Sequence, residues 1–164
     1  NERKIPGIYD IKSLGWNYRM SEGHAAVGLV QLGKLPQFLG SRQKNAERLV
    51  DAIKNYDGIF IHPHLHGKSK ISWYCVNMQI LKGYGRDRNE VIKLLNAEGV
   101  GTSVHYPVAL PFSKYYRGKN SSLSQSYNNA KRIAAQTISV PCGPHLSDKD
   151  IDFIIDKINV VIGR

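Results

Sequence analysis

The sequence is poor in the features that mark membrane-spanning, disulfide-stapled and zinc-binding proteins. No apolar run approaches the ~20 residues that cross a bilayer, so no transmembrane helix is expected. Two cysteines, Cys75 and Cys142, are too few and too far apart for a disulfide framework or a zinc site, which favours a reduced, cytoplasmic setting. The chain opens Asn1-Glu2-Arg3-Lys4 without the apolar core of a signal peptide, so we expect no cleaved leader and interpret it as a piece of a longer protein.

Acidic residues are also scarce, since 13 Asp and Glu stand against 23 Lys and Arg, a formal net charge of +10. A field of that sign attracts phosphates, nucleotides and nucleic acid. The basic residues are spread along the sequence without a helix-turn-helix or an aromatic RNA-binding motif, which disfavours a nucleic-acid-binding or regulatory module as the alternative function. The composition, 41% hydrophobic and 22% charged over 164 residues, is typical of a globular domain with its own core.

After an aperiodic segment over residues 1–20, apolar residues recur at the three- and four-residue spacing of an amphipathic helix. Ser21 is a suitable N-cap, and Pro36 interrupts the pattern, so the sequence predicts two linking helices, kinked at Pro36 and ending near Asn55. The apolar positions of the first helix are Ala25, Ala26, Leu29, Leu32 and Leu35, and those of the second are Leu39, Ala46, Leu49, Val50 and Ile53.

From Asp57 onward, β-branched and aromatic residues predict strands over 59–62, 71–81, 100–106 and 138–141. Helices are predicted between them, one opened by Asp87 and closed by Gly99, one over 126–136 and a last one capped by Ser147. The stretch 107–124 is predicted to be a long loop. The fold class is therefore α+β, a small and mostly antiparallel sheet covered by helices and preceded by the two linking helices.

Two further patterns carry weaker signals. Alternating histidines at 62, 64 and 66 would suit a metal, but Pro63 interrupts the strand and no other ligand joins them, so we expect a solvent-facing loop and no metal site. The segment Gly83-Tyr84-Gly85 precedes Arg86 and a helix, so an anion could dock there, although a tight turn is the favoured interpretation.

Three motifs are more specific. They are Leu14-Gly15-Trp16-Asn17-Tyr18-Arg19-Met20-Ser21 with the Gly28-Leu29-Val30-Gln31-Leu32 that follows, Gly99-Val100-Gly101-Thr102-Ser103-Val104-His105-Tyr106-Pro107, and Ile138-Ser139-Val140-Pro141-Cys142-Gly143-Pro144-His145. In this order they resemble the C-terminal part of the DegT/DnrJ/EryC1/StrS aminotransferases, pyridoxal-phosphate (PLP) enzymes that aminate nucleotide-linked keto sugars. Gly23 departs from the family pattern, which usually has a larger apolar residue there.

The resemblance implies the C-terminal small domain of a fold-type I PLP-dependent transferase. Residues 1–20 would be the tail end of the large domain with a cofactor-contacting loop, 21–56 the linking helices, and 57–164 the small α+β domain. The family's Schiff-base lysine lies upstream of Asn1, so no catalytic residue is assigned and the isolated chain is predicted to be inactive. The cofactor would be bound mainly by the absent N-terminal part.

The resemblance also implies site residues. Asn17 matches an asparagine that donates to the cofactor phosphate bound by the neighbouring subunit, although asparagine also caps turns. Arg19 matches an arginine near the nucleotide-sugar phosphates, with a surface ion pair as the alternative. His105 and Tyr106 match a pair that lines the substrate entrance, with a packing role as the alternative.

Tyr116 corresponds loosely to a tyrosine around the nucleotide base, and neighbouring Tyr115 fits almost as well, so simple packing is an open alternative. The partners implied by the resemblance are a nucleotide sugar, an amino-acid amino donor and a second subunit in a cytoplasmic homodimer, with no nucleic acid or membrane. A structural dimerisation domain is the other alternative. Without a large domain, exposed apolar faces over 21–55 should favour self-association.

Overall fold

The computed structural model describes residues 12–61, 69–118 and 127–163. The chain divides into two compact units, Asn1–Leu35 and Pro36–Arg164. In chain order the elements are α1 (Glu22–Ile53), β1 (Ile59–Ile61), β2 (Val76–Ile80), α2 (Arg88–Ala97), a 3-10 turn (Leu110–Phe112), α3 (Lys114–Arg117), α4 (Asn128–Gln136), β3 (Thr137–Val140) and α5 (Asp148–Ile162).

Helix α1 is a single helix of 32 residues, so the prediction of two linking helices is wrong. It begins after Ser21, whose Oγ accepts a hydrogen bond from the backbone N–H of His24 at 3.4 Å. Pro36 lies inside the helix. A proline removes one hydrogen bond from the ladder, but the turns on both sides keep theirs, and the helix therefore continues through it.

Burial changes along α1. In the second unit Ala46, Leu49 and Ile53 are buried and pack into the core. In the first unit the apolar side chains of the same helix are exposed to solvent, as are those of the loop before it. They are Leu14, Trp16, Tyr18, Met20, Val27, Leu29, Val30, Leu32 and Leu35.

The sheet is antiparallel with strand order β1-β2-β3, which confirms the predicted α+β class. Ile59 pairs with Ile80, and Met78 pairs with Ile138. Because side chains alternate between the faces of a sheet, Val76, Met78 and Ile80 share the core face with Ile138 and Val140. Polar side chains occupy the other face: Asn77, Gln79, Thr137 and Ser139.

Two strand predictions are corrected. The strand predicted over 100–106 is reduced to one bridge, where Ser103 exchanges backbone hydrogen bonds of 3.0 and 2.8 Å with Ser139 at the edge of β3. A pattern of β-branched residues favours extended backbone, but a ladder also needs a partner strand. The strand predicted over 71–81 begins only at Val76, because Trp73 has a left-handed φ of 48°, which breaks the extended conformation.

Helix ends in the second unit follow their capping residues. The Asp87 side chain accepts a hydrogen bond from the backbone N–H of Glu90 at 2.9 Å and opens α2. Gly99, with φ of 85°, closes it, because the backbone N–H of Val100 reaches the carbonyl of Leu95 at 2.9 Å. Ser147 forms a reciprocal capping box with Asp150 at the start of α5.

The core joins α1, the sheet, α2 and α5 in the second unit. Its fully buried side chains include Leu49, Met78, Leu95, Ile138, Ile151 and Ile158. Lys44 and Arg48 of α1 add ion pairs to Asp148 at 2.7 and 3.1 Å, and Arg48 also pairs with Asp152. No helix within residues 12–61, 69–118 and 127–163 is long and apolar enough to cross a membrane.

Candidate functional site

A cavity of about 520 Å³ lies over the polar face of the sheet in the second unit. The segment before β2, the segment after the Ser103 bridge and the end of α4 form its walls. Its lining residues include Trp73, Tyr74, Cys75, Asn77, His105, Tyr106, Ile133, Ala134, Thr137 and Ser139. It combines apolar walls with a few hydrogen-bonding groups, which is typical of small-molecule sites.

His105 and Tyr106, which are adjacent in the chain and were predicted to contact the substrate, both line this cavity. The Ser103 bridge to the sheet fixes the backbone two residues before His105. The His105 ring packs against Tyr74 at 5.8 Å between centroids, and its Nε2 lies 3.5 Å from the Cys75 Sγ. Tyr106 is 69% exposed, so its phenol is accessible to a ligand.

The floor of the cavity is polar and already hydrogen-bonded. The Ser139 hydroxyl donates to Asn77 Oδ1 at 2.6 Å, and the Cys75 thiol lies 3.5 Å from the same oxygen. The Thr137 hydroxyl donates to the carbonyl of Ile133 at 2.7 Å. Because these floor groups already form hydrogen bonds within the protein, the exposed His105 and Tyr106 are the polar groups best placed to contact a ligand.

The back wall depends on residues that the sequence interpretation missed. Arg42 of α1 donates from one Nη atom to the carbonyls of Trp73 and Tyr74, both at 3.1 Å. Its guanidinium carbon also lies 5.8 Å from the centre of the Tyr74 ring. A left-handed conformation costs a residue with a bulky side chain about 1–3 kcal/mol, and these bonds help to offset that cost at Trp73. No sequence spacing could have identified Arg42, because 31 positions separate it from Trp73.

Cys142 supports the same wall from the core side. Its thiol is fully buried and donates to the carbonyl of Trp73 at 3.2 Å. Burial, followed by the neighbouring Cys75, raises the pKa of Cys142 to about 11. The group therefore stays a protonated hydrogen-bond donor at neutral pH. Both cysteines are free thiols in the structure.

Asn17 and Arg19 lie in the first unit, in the exposed segment before α1. Within residues 12–61, 69–118 and 127–163 neither side chain has a hydrogen bond or an ion pair. The ion pair considered for Arg19 is thus not formed among these residues. The assignment of Asn17 to a cofactor phosphate and of Arg19 to a substrate phosphate stays a prediction.

Tyr116 lies on α3, in the described part of the segment that was predicted to be a long loop. This part contains the 3-10 turn and α3, so the loop prediction is corrected there. Tyr116 packs edge-on against Tyr115 with 5.0 Å between ring centroids, and it is not among the lining residues of the cavity. Its role toward a nucleotide base stays a prediction.

The described lysines do not fit the Schiff-base position of a PLP site. That chemistry needs a lysine held in a desolvated pocket. In the part of the chain that the structure describes, no lysine is buried, and the half-buried Lys157 is engaged by Glu98 at 3.3 Å. No cluster of metal-ligating side chains occurs there either, and the predicted loop of His62, His64 and His66 lies outside the described residues.

Comparison with known proteins identifies relatives over nearly the whole chain. The DegT/DnrJ/EryC1/StrS aminotransferase family matches residues 3–159. The spore coat polysaccharide biosynthesis protein SpsC of Bacillus subtilis is 30% identical over 156 residues, which cover 94% of this chain and 40% of SpsC.

Solved structures show the same similarity. DesV of S. venezuelae, solved with a ketimine intermediate, has a TM-score of 0.82 and 28% identity over 95% of this chain and 40% of DesV. DesI, solved with its TDP-sugar product, has a TM-score of 0.76 and 26% identity over 88% of this chain and 36% of DesI. Spr1654 of Streptococcus pneumoniae in its PLP form has a TM-score of 0.79 and 25% identity over 96% of this chain and 39% of Spr1654.

The chain therefore spans about 40% of the length of the relatives it matches. The family match exceeds half of the chain and agrees with the three motifs and with the small antiparallel sheet. On these grounds the chain belongs to the DegT/DnrJ/EryC1/StrS aminotransferase family.

Proposed function

We propose that this chain is the C-terminal part of a PLP-dependent aminotransferase that aminates a keto sugar carried on a nucleotide. The family match over residues 3–159 is the observation that carries the proposal. DesI with its TDP-sugar product and Spr1654 in its PLP form support the substrate class and the cofactor. An amino acid would supply the amino group.

The proposed division of labour follows the predicted domains, with residues 1–20 as a cofactor-contacting loop, 21–56 as the link and 57–164 as the small domain. In a homodimer, the Asn17 amide would donate to the cofactor phosphate of the neighbouring subunit. Arg19 would offer two parallel donors to the substrate phosphates. Both side chains are exposed before α1, which leaves them accessible to a second subunit.

His105 and Tyr106 are the proposed substrate contacts of the small domain. The bridge at Ser103 and the packing on Tyr74 hold the His105 imidazole at the cavity. Imidazole and phenol groups can each donate to or accept from a sugar hydroxyl or a diphosphate oxygen. The apolar wall of Trp73 and Ile133 would exclude water from one side of the ligand. Tyr116 would reach the nucleotide base from α3.

PLP, when bound, supplies the electron sink for moving an amino group. Because no described lysine is buried, this chain would leave the Schiff base to the rest of the protein and would be inactive alone. The name of SpsC is consistent with a role in cell-surface polysaccharide biosynthesis, which we propose for the whole protein in the cytoplasm.

The first test is titration of the purified chain with PLP, followed by borohydride reduction and mass mapping of labelled lysines. The proposal expects weak, non-saturating labelling spread over surface lysines. A saturable one-to-one adduct at a single lysine would show that the chain builds its own cofactor site, and would overturn the proposed division of labour.

The second test concerns the substrate residues in the protein that includes the upstream part. His105→Ala and Tyr106→Phe should each lower kcat/KM for a nucleotide-linked keto sugar about tenfold or more, with a larger effect on KM than on kcat. Lys93→Gln, on the exposed surface of α2, is the control and should leave both constants unchanged. Wild-type kinetics for both cavity variants would remove His105 and Tyr106 from the site.

A further inference from the structure

A second cavity, of about 810 Å³, lies at the opposite end of β2 in the same unit. One wall is the turn from Ile80 to Arg88, which includes Gly83 and Gly85. The other wall is one face of α4 at helical spacing, made by Asn128, Lys131, Arg132, Ala135 and Gln136. Ile133 and Ala134 of α4 line the first cavity instead, so the two cavities are distinct.

The second cavity is strongly cationic. Five of its lining side chains carry a positive charge: Lys82, Arg86, Arg88, Lys131 and Arg132. Asp87 is the one carboxylate in the lining, and it accepts the backbone N–H of Glu90. Glu90, outside the lining, lies 3.8 Å from the Arg86 guanidinium and offsets part of this charge. Since like charges repel at short range, the remaining excess of positive charge favours an added anion.

Three of these cations are held in place. Arg86 donates to the carbonyl of Val161 at 2.6 Å, and Arg88 donates to the carbonyl of Ala134 at 2.8 Å. The Lys131 ammonium lies 4.1 Å from the centre of the Phe112 ring. The Nε of Arg86 also faces Glu90, and the Nε of Arg88 donates to Asn89 Oδ1 at 3.0 Å. Because a guanidinium carries five N–H donors, each of the two side chains keeps further donors that can serve a ligand.

A buried amide adds a second, independent signal. Gln136 lines the same cavity and is 9% exposed, and its Oε1 has no hydrogen-bond partner among the described residues. A buried polar atom without a partner costs free energy that a ligand donor would recover. The cavity therefore combines several cations for an anion with one acceptor for a hydroxyl or amino group.

We propose that this second cavity binds the diphosphate group of a small organic phosphate. Guanidinium groups pair with phosphate oxygens through parallel hydrogen bonds, and several cations favour an anion of more than one charge. Gly83 and Gly85 leave open space where a side chain would stand, so the turn does not obstruct the approach of a ligand. The proposal goes beyond the function proposed for the His105 cavity and does not depend on it.

The test is a titration of the 15N-labelled chain with inorganic pyrophosphate and, separately, with ADP, followed by NMR and calorimetry. We expect saturable one-to-one binding of both probes, with shifts of backbone amides over 82–88 and 128–136. ADP should bind more tightly if its hydroxyl and amino groups reach Gln136. Shifts confined to the His105 segment, or the absence of saturation with both probes, would overturn the proposal.

Variants distinguish specific binding of pyrophosphate in the cavity from non-specific attraction to a basic surface. Lys82→Gln combined with Arg132→Gln, both exposed, should weaken pyrophosphate binding about tenfold or more. The matched control, Lys93→Gln with Lys149→Gln, removes the same charge outside the cavity and should change the affinity less than about twofold. Equal losses of affinity in both double variants would contradict the proposal. His105→Ala, which changes the first cavity, should leave the affinity for pyrophosphate unchanged.

Discussion

The two ends of α1 follow the same periodic pattern but have opposite environments. Leu29, near its start, is 73% exposed, whereas Leu49, five turns later in the second unit, is fully buried in the core. Each is a leucine in the three- and four-residue apolar spacing of its own half of the helix. The comparison teaches that periodicity identifies the apolar face of a helix, and that only tertiary contacts decide whether anything covers it.

The largest contrast is expected from truncating these two leucines. Leu49→Ala should lower the free energy of unfolding by about 2–5 kcal/mol, because it removes a packed side chain and leaves a cavity. Leu29→Ala should change it by less than about 0.5 kcal/mol, because that side chain is mostly in solvent. Urea unfolding monitored by circular dichroism measures both, and equal costs would mean that the first unit is covered in solution.

Self-association is the next expected effect. The exposed apolar residues of the first unit should drive the chain to associate, since surfaces of this kind mark interfaces. Leu29→Lys combined with Leu32→Lys should return the chain to the monomer without loss of helix content. Sedimentation velocity over a range of concentrations measures this, and a wild-type chain that stays monomeric at high concentration would contradict it.

Arg42 provides a test within the second unit, where α1 is covered. Arg42→Ala should lower the free energy of unfolding by about 1–3 kcal/mol, because the carbonyls of Trp73 and Tyr74 lose the Arg42 guanidinium, although the Cys142 thiol still donates to Trp73. The same variant should shift the NMR signals of His105, which packs on Tyr74. Arg42→Lys, which keeps the charge and a donor, should lower the free energy of unfolding by less. Unchanged NMR signals of His105 in Arg42→Ala would show that the cavity wall does not depend on Arg42.

The smallest effect is expected from the acidic residues that join α5 to α1 and cap α5. Hydrogen bonding to Lys44 lowers the pKa of Asp148, and hydrogen bonding to Ser147 lowers the pKa of Asp150. A carboxyl whose pKa is lower in the folded state stabilises the fold above its ordinary pKa of 3.8 and loses that contribution as the pH falls below it. Asp148→Asn should slightly lower the urea midpoint at pH 6 and reduce the fall of that midpoint between pH 4 and 3. If the midpoint fell as much as in the wild type, the ion pair of Asp148 would not contribute to the loss of stability in acid.

Much of the local structure was predictable because capping and periodicity act over a few residues. Asp87, Gly99 and Ser147 mark helix ends where the structure has them. The extents of strands were less predictable. Among the described residues, the predicted strand at 100–106 has no strand partner beyond Ser139. Trp73 interrupts the strand that was predicted to begin at Ile71.

The candidate site was predictable only in part. The resemblance named His105 and Tyr106, and both line one cavity, but their role toward a substrate stays a prediction. The contacts of Arg42 and Cys142 with Trp73 were not predicted, because they span 31 and 69 positions of the chain. For the cationic cavity the sequence offered only a weak anion signal at Gly83-Tyr84-Gly85, because its two walls come from residues 80–88 and 128–136.

The sequence by itself determined the α+β class, the main helix caps and the family, because these depend on local propensity and on motifs read along the chain. The tertiary structure alone decided that α1 continues through Pro36, which of its leucines are covered, and how Arg42 supports the wall beside His105. These features depend on long-range packing, in which residues far apart in the chain contribute contacts that no local pattern records.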